Sequence, residues 1–199
     1  MSPYRGRKEA ETATKPCLGE GFHLSKAGSR NHHTHDQDSE GQDEAGMKLY
    51  IETSVPNMLL HDDAPDKKRV TRLFVDWLKL SAHEPFVSPV VMREISKTRG
   101  PRREQLEQVV VALEAAMLEV TPAVGSLALH YTAARIIPAR FQDDLMHVAV
   151  AVCYRLDMIV SWNMKHLANA NKVSLINEMN RRQGWPLIRI HTPQEVLGL

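Results

Sequence analysis

From Met47 onward the chain alternates short apolar runs with segments of helical period, and that alternation restricts the fold more than any other feature. The runs are Leu49-Tyr50-Ile51, Pro85 to Ser88, Met117 to Val120, Met158 to Ser161 and Leu187 to His191. Each is too short and too uniformly apolar to show one wet and one dry face, so each reads as a strand buried on both sides. Between them lie amphipathic stretches. Asp66 to Ala82 places Val70, Leu73, Phe74, Trp77 and Leu78 on one side, and Arg102 to Ala116 has an inner stripe of Leu106, Val109, Val110 and Leu113. Pro89, Pro122 and Pro193 stand at helix starts, and Gly184 at a helix end. Further helices are expected from Pro89, from Pro122 to about Arg135, from Asp143, from Met164 to Gln183 and after Pro193. The order β-α-β-α-α-β-α-α-β-α-β-α predicts an α/β fold, a three-layer α/β/α sandwich around a mainly parallel sheet of about five strands.

Residues 1–46 contrast with this. They hold almost no Val, Ile, Leu or Phe and are rich in Gly, Ser, His and charged residues. Such a segment buries too little apolar surface to offset the entropy of ordering it, so a disordered polar extension is expected, with one domain over 47–199. His32, His33 and His35 read as part of that solvated segment rather than as a metal site.

Charge names no partner: 25 basic residues oppose 24 acidic ones. Any nucleic-acid contact must come from local basic groups, for which Lys67 to Arg72, Arg99 to Arg103 and Arg181-Arg182 are the candidates. Cys17 and Cys153 lie far apart without ligand spacing and read as free thiols, which fits a reducing compartment. No apolar run reaches the roughly 18 residues of a membrane span, and no leader pattern opens the chain, so a cytoplasmic location is expected.

In an open α/β sheet, chemistry collects beyond the carboxyl ends of the central strands, where the first and fourth are the natural neighbours. Glu52 ends the first strand and Asn163 follows the fourth. Asp144 begins the helix that feeds strand four, and Glu94 lies on the helix after strand two. Converging oxygen donors of this kind call for a hard divalent cation such as magnesium or manganese, whose chemistry suits phosphodiester hydrolysis. Neither GxGxxG nor a P-loop occurs, which argues against a nucleotide-binding module. Asp143, by contrast, has ample reason to be acidic at a helix start alone. His147 and His166, three residues past Asp144 and Asn163, suit hydrogen-bonding or packing roles beside such a site, and Trp162 suits packing.

YIETSV, the Glu in VVMREI, DDLMHVAVA and VSWNMKHL together resemble, in order and spacing, the PIN-domain ribonucleases, which include the VapC-type toxins of toxin-antitoxin pairs. The resemblance spans Met47 to about Val196. It implies a metal-dependent ribonuclease with Glu52, Glu94 and Asp144 as ligands of magnesium or manganese and Asn163 at the last polar position. It further implies RNA as substrate, an antitoxin chain that blocks the cleft, and a homodimer. Glu52 is one methylene longer than the aspartate usual there, and Asn163 is neutral where aspartate is frequent. The variant site therefore carries less charge, and a degenerate domain that binds RNA or protein without cutting is the alternative.

Overall fold

The computed structural model describes residues 46–136, 138 and 141–199. The expected disordered extension and its His32, His33 and His35 fall outside the described residues, as does Cys17; Gly46 alone of the extension is described.

Five strands form one sheet: β1 (Lys48–Ile51), β2 (Glu84–Val87), β3 (Ala116–Met117), β4 (Met158–Val160) and β5 (Arg189–His191). Their order is β3-β2-β1-β4-β5, and every pairing is parallel. The helices are α1 (Ser54–Leu59), α2 (Pro65–Leu80), α3 (Pro89–Ser96), α4 (Pro101–Ala112), α5 (Pro122–Ala133), α6 (Gln142–Cys153), α7 (Ala170–Gln183) and α8 (Pro193–Val196). One layer packs α2 against α1 and α8, with α4 against α1; the other packs α5 against α6, and the Tyr131 hydroxyl donates to Asn180 to tie α5 to α7. The α/β sandwich expected from the alternation is present, and its sheet is wholly parallel.

Leu49, Tyr50, Ile51, Ile159 and Val160 are fully buried, as residues of central strands covered on both faces must be. Register sets up the functional edge. Ile51 lies beside Val160, and the ladder continues one step further, with the Glu52 amide donating to the Val160 carbonyl at 3.1 Å. Glu52 and Ser161 thus emerge side by side at the carboxyl edge of the sheet.

Three elements depart from expectation. A short helix, α1, follows Thr53 directly, where no helix was expected; six residues with Pro56 in the first turn carry too little periodic signal to show. The third strand is two exposed residues, Ala116–Met117, instead of a buried run to Val120, because β3 is a sheet edge. The helix expected from Met164 begins only at Ala170, where Asn169 caps it by accepting from the Lys172 amide at 3.3 Å. Residues 164–168 form turns, so His166 does not share a helical face with Asn163. The same helix ends as expected at Gly184, whose φ of 73° is the left-handed conformation that glycine adopts without strain.

Candidate metal centre at the sheet edge

Four elements deliver the candidate side chains. Glu52 comes from the tip of β1, and Asn163 follows β4. Glu94 lies on α3, whose start is fixed by Ser88, its Oγ accepting from the Val90 amide at 3.3 Å. Asp144 stands in the first turn of α6, where the helix dipole favours an anion. All four expected residues come together at one edge.

Each carboxylate has one oxygen held by the chain. Glu52 Oε2 accepts from the Ser54 amide at 3.1 Å, from the Ser54 hydroxyl, and from Ser161 Oγ at 2.8 Å. Glu94 Oε2 accepts from the Thr53 hydroxyl and pairs with His147 Nε2 at 3.1 Å. Asp144 Oδ1 accepts from Asn163 Nδ2 at 3.0 Å. The second oxygens differ. No donor among the described residues bonds to Glu52 Oε1 or Glu94 Oε1. Asp144 Oδ2 is buried without a hydrogen bond, although His166 Nδ1 lies 3.2 Å away. A buried carboxylate oxygen is costly unless a cation faces it, and His166 is one such cation when protonated.

His147 is fully buried and held at both nitrogens: Nδ1 meets the Tyr50 hydroxyl at 2.7 Å, and that hydroxyl meets Ser88 Oγ at 2.6 Å. Burial alone would lower its pKa, but the bond to Glu94 and the fields of Glu52, Glu94 and Asp144 carry it above the ordinary value. For Glu94, burial acts to raise the pKa, and the bond and charge of His147 together with Thr53 bring it below the usual range. Glu94 is therefore an ionised acceptor at neutral pH, so His147 Nε2 carries a proton. Ligand atoms of Glu52, Glu94 and His147 lie within 4.8 Å of one another. These three bring their ligand atoms close enough together to hold one ion, while Asp144, expected as a ligand, lies outside that group and feels it through the charges of Glu52 and Glu94.

Asp144 is pushed up to about 6, first by burial and then by the charges of Glu52 and, to a smaller extent, Glu94, against the opposing effects of His147 and Asn163. A carboxylate that resists ionisation beside two others is what a bound divalent ion would relieve. Glu52 and Glu94, each with one oxygen held and the other without a donor among the described residues, suit a hard divalent ion such as magnesium or manganese.

The second half of Asn163 is also engaged, its Oδ1 accepting from the His166 amide at 3.1 Å. Its first visible effect is to orient Asp144. Asp143 points elsewhere, pairing with Arg93 at 2.7 Å and Lys97 at 2.8 Å, as a helix-start acid off the site is expected to do. Trp162 is buried and donates through Nε1 to Thr71 Oγ1 at 2.9 Å, a packing role. Sequence reading passed over Tyr50, Ser88 and Ser161. The available signal was a tyrosine within an otherwise aliphatic central strand, whose buried hydroxyl must find a partner.

No family model matches the chain. No curated protein matches it in sequence either. Solved structures do: VapBC2 from Rickettsia felis bound to a DNA fragment from its promoter superposes with a TM-score of 0.44 at 13% identity, covering 73% of this chain and 98% of that one. A toxin-antitoxin complex from Klebsiella pneumoniae gives 0.43 at 15% identity, covering 62% and 93%.

Proposed function

We propose that residues 47–199 form a PIN-like domain that hydrolyses RNA phosphodiester bonds with a magnesium or manganese ion held by Glu52, Glu94 and Asp144. The observation that carries this reading is the division of labour within each carboxylate, ending in the buried Asp144 oxygen that accepts no hydrogen bond. When bound, the ion supplies activation of water and stabilisation of charge at a phosphoryl oxygen. The chain does the rest. Ser54 and Ser161 aim Glu52, Thr53 and His147 aim Glu94, and Asn163 aims Asp144, so the three side chains are oriented before an ion arrives. Asn163 completes the polar edge without adding charge.

The sequence resemblance extends the proposal to the toxin of a type II toxin-antitoxin pair, acting in the cytoplasm as a homodimer and silenced by an antitoxin. The second reading, a domain that binds RNA or protein without cutting, draws on the amide at Asn163 where a carboxylate is frequent.

The test is cleavage of a mixed RNA panel by the full chain with manganese, with magnesium and with chelator, beside Asp144→Ala. Metal-dependent cutting lost in the variant supports the nuclease. Turnover that survives in Asp144→Ala sinks the assignment, and a folded protein that binds metal and RNA without cutting favours the second reading.

A further inference from the structure

Around α3 and α6, one residue on from the acids, lies a cleft of about 550 Å³ between α3, α5 and α6. Arg93, Lys97 and Asp143 line its polar side, and Ala128, Leu129 and Met146 supply apolar surface. Arg93 directly precedes Glu94, and Asp143 directly precedes Asp144, so a turn of about 100° about each helix axis separates the cleft wall from the carboxylate edge. The two faces lie within electrostatic reach of each other, since the charge of Asp143 acts on Glu94.

Its chemistry is mixed in a particular way. Asp143 Oδ1 and Oδ2 hold Arg93 and Lys97 at 2.7 and 2.8 Å, fixing two cation heads in one place while leaving the trio with a net positive charge. Three other ion-paired basic residues differ. Arg103 pairs with Glu107, and Arg181 and Arg182 both pair with Glu178, each along the exposed face of its own helix and away from the cleft lining. Leu129, 70% exposed, stands on the facing helix as apolar surface that nothing in the domain covers. The volume falls within the roughly 300–1,000 Å³ typical of small-molecule sites.

A group with an anionic part and a flat apolar part matches such a wall, and a nucleotide of a single strand has both. We propose that this cleft is a subsite for one nucleotide of RNA next to the scissile bond, with Arg93 and Lys97 receiving its phosphate and Leu129 and Met146 receiving its base. The inference rests on the nuclease reading and adds to it where the strand lies. A phosphate contact contributes through counterion release, and base contact with apolar side chains contributes without it.

The experiment measures steady-state cleavage in manganese, and anisotropy of a labelled single-stranded RNA in chelator across a salt series, using the full chain. Lys97→Ala is expected to raise KM and weaken binding about five- to tenfold, to reduce the salt slope by about 0.7, and to leave kcat unchanged. Lys97→Arg restores all three. Leu129→Ala weakens binding about threefold with the slope of the wild type. Melting curves establish that each variant folds, and both positions are exposed. Unchanged KM, affinity and slope in Lys97→Ala, from a wild type that cuts RNA, overturn the subsite and leave the nuclease standing. A wild type that neither cuts nor binds RNA overturns both. Lys97-dependent capture of polyglutamate by a protein indifferent to RNA assigns the cleft to an acidic protein partner and overturns the inference as well.

Discussion

Asp143 and Asp144 are adjacent in the chain, lie in the same helical turn and share a favourable dipole, yet they do opposite things. Asp143 faces outward to Lys97 and Arg93, whose bonds and charges bring its carboxyl below the usual aspartate value against a modest burial effect. Asp144 faces inward, where burial and the neighbouring Glu52 push it up to about 6. One region is an exposed ion-pair cluster with a net positive charge. The other is a buried acidic edge at which Glu52, Glu94 and His147 are close enough together to hold a cation. The pair teaches that an acidic residue becomes a candidate ligand through what surrounds it, and that a single step around a helix is enough to change that.

The largest effect expected from this contrast is on turnover. Asp144→Asn should cut metal-dependent cleavage by more than the ~10–100-fold that outer partners of a metal site typically cost, whereas Asp143→Asn leaves kcat within about threefold. Equal losses in RNA cleavage assays would break the comparison.

Stability against pH comes next. Because the folded pKa of Asp144 is raised, its contribution to stability is full below the unfolded value near 3.8 and is lost as pH rises through about 6. That loss should be on the order of 2–3 kcal/mol in the metal-free protein. Denaturant melts in chelator should show it, and it should vanish in Asp144→Asn and shrink when millimolar magnesium or manganese is added. Asp143 has the opposite sign, its contribution being present above the unfolded value and lost as pH falls through its lowered folded value. A wild type whose metal-free stability is flat between pH 4 and 6 would contradict the inward reading of Asp144.

Tyr50→Phe probes the support behind Glu94. Removing one hydroxyl leaves His147 Nδ1 without its Tyr50 contact and Ser88 Oγ with only its bond from the Val90 amide, at a cost of about 1–3 kcal/mol. If His147 positions Glu94, manganese affinity measured by calorimetry should fall about tenfold as well. A destabilised variant with unaltered metal affinity would reduce the chain from Ser88 to Glu94 to packing alone.

The smallest effect belongs to the outer cluster. Asp143→Asn should change stability at pH 7 by less than about 1 kcal/mol, since its partners are exposed and can be solvated. A larger loss in chemical melts would show that the cluster braces α3 against α6.

Much of this could be read before the fold was in hand, for identifiable reasons. Strands such as Leu49 to Ile51 and Met158 to Val160 declare themselves because a strand covered on both faces must be apolar throughout, and Pro89, Pro122 and Gly184 mark helix ends through their restricted or permissive backbones. Glu52, Asp144 and Asn163 could be placed at the edge because a parallel sheet sends its strand tips and helix starts there, whereas Glu94, well inside α3, could not be placed by that rule alone. What stayed hidden was α1, too short to show a period, and the turns at 164–168, where a helix was expected and the chain starts one only at Ala170.

The sequence by itself determined the alternation and the parallel, helix-covered sheet that follows from it, because these rest on local periodicity and on rules of chain connection. Only the tertiary structure decided which oxygen of each acid is held and which remains. Tyr50 meets His147 across 97 positions and Ser161 meets Glu52 across 109. A hydrogen bond is made over about 3 Å of space, and no local pattern records who stands there.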